Sequence, residues 1–169
     1  MTQIFEATDK DIVVIKKLAY QIWPQVYHTI ISESQISYML DLFYSESALL
    51  ENITKKKHQF YIIESDGQPA GFASFEHNYL QEKVTRLHKL YVLPEVHGRG
   101  LGKQLLLAVI KEAELQVSEA ISLNVNKFNP AIDFYKKLGF EIVGEEKLPI
   151  GKDFYMDDFM MKLPTKIYR

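Results

Sequence analysis

The sequence predicts an α/β or α+β layered arrangement, because runs of strand pattern are broken by single helices and two of those helices follow directly on a strand, as crossover units do. Three observations carry this. Apolar residues recur at helical spacing through the first third of the chain. Aromatic and β-branched residues take over at residue 58. From residue 84, strand and helix patterns alternate as far as two closing strands. The 169 residues fit a single domain, 1–169, large enough to bury a core without staples. A hydrophobic content of 47% opposes disorder.

Residues 3–6 form a short first strand. Thr8 then starts a helix: its oxygen can accept from a free amide, and Asp11 stands three residues on, where a capping carboxylate belongs. Ile12, Ile15, Leu18, Ala19 and Ile22 follow on one face. A second helix is expected over 34–44, with Ile36, Met39, Leu40 and Phe43 on one side, and a third over 47–55. Residues 58–64 and 69–77 are strands joined by Ser65-Asp66-Gly67-Gln68, since Asp-Gly supplies the positive φ angles of a tight hairpin. A strand over 84–92 is closed by Pro94, which has no amide for a central ladder. A helix over 100–114 turns Leu101, Leu105, Ala108 and Val109 inward. Then come a strand over 120–125, a helix over 129–138 ended by Gly139, and strands over 140–145 and 153–163.

Composition narrows the chemistry. The formal charge of -2 gives no basic excess for nucleic acid, and no nucleic-acid partner is expected. There are no cysteines, which excludes a disulfide scaffold, a thiolate metal site and an enzyme thioester. No metal is expected. The beginning of the chain lacks a basic region followed by an apolar stretch, and no apolar run approaches the ~20 residues of a membrane span. The expectation is a soluble cytoplasmic protein without a membrane partner. An exposed strand edge could support a homodimer.

The stretch from Leu90 to Lys103 carries the most information. A strand, Leu90-Tyr91-Val92, runs through Pro94 into His97-Gly98-Arg99-Gly100-Leu101-Gly102-Lys103 and on into an amphipathic helix. Glycines let backbone amides face a ligand without a Cβ in the way. A helix start has unpaired amides and a positive dipole end, so the junction suits a phosphate or diphosphate. The spacing Gly98-x-Gly100-x-Gly102 is not the dinucleotide fingerprint, and Gln104 after Gly102-Lys103 rules out a Walker loop. A plain loop-to-helix junction would also use these glycines.

Val92-x-Pro94-x-x-His97-x-x-Gly100-x-Gly102 resembles the acetyl-CoA signature of the GNAT acetyltransferase superfamily. The family carries Arg or Gln where this chain has His97, a change that mainly backbone contacts should tolerate. The resemblance implies the GNAT acyl-CoA N-acyltransferase fold, a central mixed, mostly antiparallel twisted sheet flanked by helices. It implies acetyl-CoA as cosubstrate, with Leu90, Tyr91 and Val92 along the pantetheine arm and His97, Gly98, Arg99, Gly100, Leu101, Gly102 and Lys103 at the diphosphate.

Asn129-Pro130-Ala131-Ile132-Asp133-Phe134-Tyr135-Lys136-Lys137-Leu138-Gly139-Phe140 is by itself a capped helix, with Asn129 as cap and Pro130 in the first position. It also resembles the second GNAT signature. The resemblance implies that Asn129 contacts the cofactor and that Tyr135 lies near its sulfur, where a phenol can protonate the departing thiolate.

The family resemblance implies direct attack by an amine on the thioester in a ternary complex. A base is then needed. His88, on the strand leading to the glycine turn, titrates near neutral pH and is the first candidate, on the same face as Leu90; a packed strand histidine is the plain alternative. Glu76 and His77 are further candidates, and Arg86 stands where some family members carry a glutamate base. Trp23, Tyr27, Tyr38, Phe43 and Tyr44, with Glu33, Asp41 and Glu46, suit either a cationic acceptor or a core with solvated acids. The ending Gly151-Lys152-Asp153-Phe154-Tyr155-Met156-Asp157 resembles polyamine-acetylating GNAT proteins, with Met156 where those have threonine. The expected acceptor is a small amine such as a polyamine. A protein N-terminus or lysine is the alternative acceptor, and a regulatory acyl-CoA-binding module without turnover is the alternative function.

Overall fold

The computed structural model describes residues 1–166. It has two compact units, the first made of Met1–Glu76 with Leu87–Val109, the second of His77–Arg86 with the chain from Ile110 onward.

In the first unit the chain runs β1 (Thr2–Glu6), α1 (Ile12–Tyr27), α2 (Glu33–Tyr44), α3 (Glu46–Thr54), β2 (Gln59–Ser65) and β3 (Gln68–Glu76). It resumes with most of β4 (Val84–Val92) and the start of α4 (Leu101–Leu115). The expected capping box is present: the Thr8 hydroxyl accepts from the Lys10 amide at 3.2 Å and the Asp11 carboxylate from the Thr8 amide at 2.8 Å. It closes a short 3-10 turn, Asp9–Asp11, ahead of α1. All five stripe residues of α1 are buried, and α1 packs on α2, α3 and β3. Ser32 and Ser45 cap α2 and α3 through their hydroxyls. β1, β2 and β3 pair antiparallel, with Ile4 opposite Ile63 and Ile62 opposite Phe72. The hairpin turn holds Asp66 at φ +52° and Gly67 at +78°.

In the second unit β5 (Ala120–Asn126) pairs antiparallel with β7 (Phe154–Pro164), which pairs antiparallel with β6 (Glu141–Gly151). The helix α5 (Ala131–Lys137) is followed by Gly139 at φ +102°. β6 runs to Gly151, well beyond the expected end at 145. Pro149 does not stop it, because it pairs with Tyr155 beside the hairpin and has a register irregularity to absorb it. Strand order in the seven-stranded mixed sheet is β1-β2-β3-β4-β5-β7-β6. No helix among the described residues is long and apolar enough to cross a membrane.

Candidate active site

The glycine turn is built from the end of β4. The Leu93 amide donates to the Ala70 carbonyl at 2.8 Å, which ties the strand's exit to β3. Pro94–Val96 makes one 3-10 turn. Gly98 and Gly100 then sit at φ +86° and +75°, left-handed backbone that a β-carbon penalises. A Cβ built on either would meet nothing within 4 Å. These two glycines are therefore required by conformation, and the space beside them is open. The Gln104 amide donates to the Gly100 carbonyl at 3.0 Å, which makes Leu101, Gly102 and Lys103 the first turn of α4. Amides in a first turn have no upstream carbonyl to bond.

His97 folds back on its own loop. Its Nε2 donates to the Val92 carbonyl at 2.9 Å, and its backbone amide donates to the Pro94 carbonyl at 3.1 Å. Both groups staple the loop to the strand that precedes it. Arg99 and Lys103 are exposed.

On β4, His88 is not a lone packed histidine. Its Nε2 lies 2.9 Å from Glu76 Oε1, and its ring stacks on that of His58 at 4.0 Å with 14° between planes. His58 Nε2 is 3.3 Å from the same carboxylate oxygen. No local motif marks His58, which stands at the start of the expected strand over 58–64. Burial, then the charges of Lys89 and Lys56, push its pKa down to about 4, so the imidazole is neutral at ordinary pH. Lys89 donates to Asn52 Oδ1 at 3.2 Å and lies over the rings of Tyr44 and Phe60. Burial lowers its pKa to about 8, with Lys56 adding to the effect.

The aromatic residues of the helical region go mostly to the core. Trp23, Tyr27 and Tyr44 are buried, while Glu33, Asp41 and Glu46 are exposed. Trp23 packs against Tyr27 at 4.5 Å and Tyr44 at 5.5 Å. The hydroxyls of Tyr27 and Tyr91 are 2.8 Å apart, which anchors β4 to α1 beside the Leu90-Tyr91-Val92 stretch.

The second unit holds the other motif. Asn129 Oδ1 accepts from the Ala131 amide at 2.9 Å, the capping contact that its residue type predicts. Tyr135 is buried, its ring edge-on to Phe134 and Phe140 at 5.3 and 5.6 Å. His77 belongs to a chain of hydroxyls: its Nδ1 is 2.8 Å from Thr85 Oγ1, itself 2.7 Å from Ser118 Oγ. Arg86 reaches Ser122 Oγ at 3.4 Å and lies over the Tyr79 ring. Asp157 Oδ1 is 3.2 Å from Lys127 Nζ, which also reaches Glu145 at 3.2 Å. Its neighbour Asp158 is buried, and desolvation, then Glu146 and Asp157, raise its pKa to about 6.

The chain is similar to known acetyltransferases. The family model described as acetyltransferase (GNAT) family matches residues 23–140. An uncharacterized N-acetyltransferase of Methanocaldococcus jannaschii is 34% identical over 87 residues, 48% of this chain and 38% of that protein. The chain thus spans well under half the length of that relative. An uncharacterized N-acetyltransferase of Mycobacterium tuberculosis is 26% identical over 92% of this chain and 97% of its own. Among solved structures, a PaiA N-acetyltransferase from Thermoplasma acidophilum in complex with coenzyme A superposes with a TM-score of 0.82 at 24% identity, covering 97% of this chain and 99% of that one.

Proposed function

The chain belongs to the acetyltransferase (GNAT) family; on that premise we propose that it is an acetyl-CoA-dependent N-acetyltransferase that acetylates a primary amine, a small cation such as a polyamine, by direct attack of the amine on the thioester. The observation that carries the reading is the His88–Glu76 contact at 2.9 Å on the strand that leads to the glycine turn. A carboxylate on an imidazole fixes the ring and stabilises its protonated form, as a base that must hold a proton requires.

In this mechanism the amine nitrogen attacks the acetyl carbon while His88 takes its proton, directly or through one water. The carbon–sulfur bond breaks, and the Tyr135 hydroxyl protonates the thiolate. Leu90, Tyr91 and Val92 offer backbone groups to the pantetheine arm. The amides of Gly98, Arg99, Gly100, Leu101, Gly102 and Lys103 take the diphosphate, with the Arg99 and Lys103 cations adding to the field. Both donors of His97 are engaged within the loop, so we assign it the work of holding the loop's shape. Asn129 contacts the cofactor, as its motif implies.

A second acceptor class has support of its own. The peptidyl-lysine N-acetyltransferase YjaB of Escherichia coli K12 is 30% identical over 52% of this chain and 52% of that protein. Asp157, the residue that the polyamine resemblance singles out, already holds Lys127, and a polyamine would have to share or displace that contact. A thiol-release assay with acetyl-CoA separates the readings. The expected result is turnover with polyamines more than tenfold above background hydrolysis. Turnover with lysine peptides alone would transfer the assignment to protein. Background rates with every amine would leave only a binding module.

In the same assay His88→Ala and Tyr135→Phe should each lower kcat by about 100-fold, the usual scale of a lost general base or acid. The KM for acetyl-CoA should stay within about threefold, because neither group is assigned to ground-state binding. Undiminished kcat in either variant removes that residue from the mechanism.

A further inference from the structure

We propose that His58, Glu76 and His88 form a divalent-cation site of the zinc type. The three residues come from three separate segments of the first unit: the approach to β2, the last position of β3 and the middle of β4. Each offers one ligand atom, and the three atoms lie within 4.8 Å of one another. Glu76 Oε1 is 2.9 Å from His88 Nε2 and 3.3 Å from His58 Nε2.

Those separations suit a metal. A tetrahedral zinc with ligands at ~2.0–2.1 Å holds neighbouring donor atoms about 3.3–3.4 Å apart. Of the two distances to Glu76, one already has that length, and the other needs to open by a few tenths of an ångström. The two imidazoles stack at 4.0 Å and 14° with both Nε2 atoms near the same oxygen, and an ion is taken up when one ring tilts so that the two in-plane lone pairs converge on it. Two neutral imidazoles and one carboxylate are also the donor set of a zinc site that keeps one coordination position open. The His88 and Glu76 side chains are 21% and 27% exposed, which leaves an approach for the ion, while the His58 side chain at 8% backs the site.

Lys89 and Lys56 lie close enough to His58 to act on its charge, and they oppose a cation. The ion is therefore held reversibly and yields to a chelator, unlike a structural zinc that folds its domain. Binding has one functional consequence, which rests on the reading of His88 as the base. The ion takes Nε2 away from the Glu76 carboxylate that would stabilise the protonated ring, and its charge opposes proton uptake by His88, so the metal-loaded enzyme does not turn over.

The test starts from full-length protein stripped with EDTA and desalted, then titrated with zinc chloride by calorimetry and, in parallel, with cobalt(II) by visible absorption. The expected result is one ion per chain and the visible bands of a four-coordinate nitrogen and oxygen site. Affinity should fall more than tenfold in His58→Ala and in Glu76→Gln. Magnesium, which prefers oxygen ligands, should give no heat. His58→Asn, closer in shape, serves if the alanine variant loses its cooperative thermal transition. Absence of saturable zinc binding, or equal affinity in the His58 variants, overturns the site. Zinc should also arrest amine acetylation in the wild type and leave His58→Ala active. If zinc binds with the expected ligand dependence while turnover continues, the site stands and the assignment of His88 as base falls.

Discussion

Gly100→Val should reduce acetyl-CoA affinity by about 100-fold or more, near 2.8 kcal/mol. Two effects act together. At φ +75° the backbone is in the left-handed region, where a β-branched side chain is an outlier. Relaxing that strain rotates the peptide groups that aim the loop amides outward. The valine branches also enter space that is open beside this glycine, since a Cβ there meets nothing within 4 Å. On the proposed assignment, the diphosphate needs that space to reach the first-turn amides of α4. Hydrogen bonds to charged groups are worth ~1.5–3 kcal/mol each, so losing even one or two accounts for the effect. Isothermal titration calorimetry with acetyl-CoA measures it, and the thermal transition of the variant reports separately on folding. A variant that folds and binds within threefold of wild type would show that the anion lies elsewhere. Gly100→Ala should fall between, because it adds the strain with little of the bulk.

The contrast between Gly100 and His58 shows which features a sequence carries. Local rules sufficed wherever the relevant partners are near in the chain. Thr8 and Asp11 cap each other three residues apart, and Ile12 to Ile22 repeat at helical spacing. Asp66-Gly67 turns with two positive φ angles, and Asn129 caps two residues on. The glycine turn belongs to the same class. Residues 58, 76 and 88 obey no spacing rule, since only the lateral pairing of β2, β3 and β4 brings them together, and so no local pattern marks His58 although Glu76 and His88 stand out as candidate bases. His97 was ambiguous for a different reason: the identity of its partner, the Val92 carbonyl, depends on how tightly Pro94–Val96 turns. The aromatics of α1 and α2 were ambiguous because a core and a cation site select the same side chains. Burial of Trp23, Tyr27 and Tyr44 resolves those three toward the core.

Gly71→Ala should be severely destabilising for the addition of a single methyl group. Nothing about Gly71 stands out in the strand pattern over 69–77, and its φ is not in the left-handed region. Its constraint is a close approach. A Cβ at this position would lie 2.6 Å from the Tyr91 carbonyl oxygen, 3.0 Å from Val92 Cγ2 and 3.1 Å from Val92 Cα. Two of those three atoms are backbone, so no rotamer change relieves the contact and β4 itself has to move. The displaced stretch is anchored by the Tyr91–Tyr27 hydroxyl pair at 2.8 Å and by the Leu93 amide on the Ala70 carbonyl. Overpacking of this kind costs about 1–3 kcal/mol, and backbone involvement puts Gly71 at the upper end. At ~2–4 °C per kcal/mol for a chain of this size, Tm falls by about 6–12 °C. Gly144→Ala is the control: its Cβ would meet only the Met160 sulfur at 3.4 Å, the end of a flexible side chain, and Tm should barely change. Because Tyr91 and Val92 are the residues assigned to the pantetheine arm, Gly71→Ala should also weaken acetyl-CoA binding in the fraction that remains folded. Calorimetric unfolding, followed by acetyl-CoA titration well below Tm, measures both effects. An unchanged Tm would mean that β3 and β4 can separate at Gly71 without loss, and the close approach would then not be what holds the end of β4 in place.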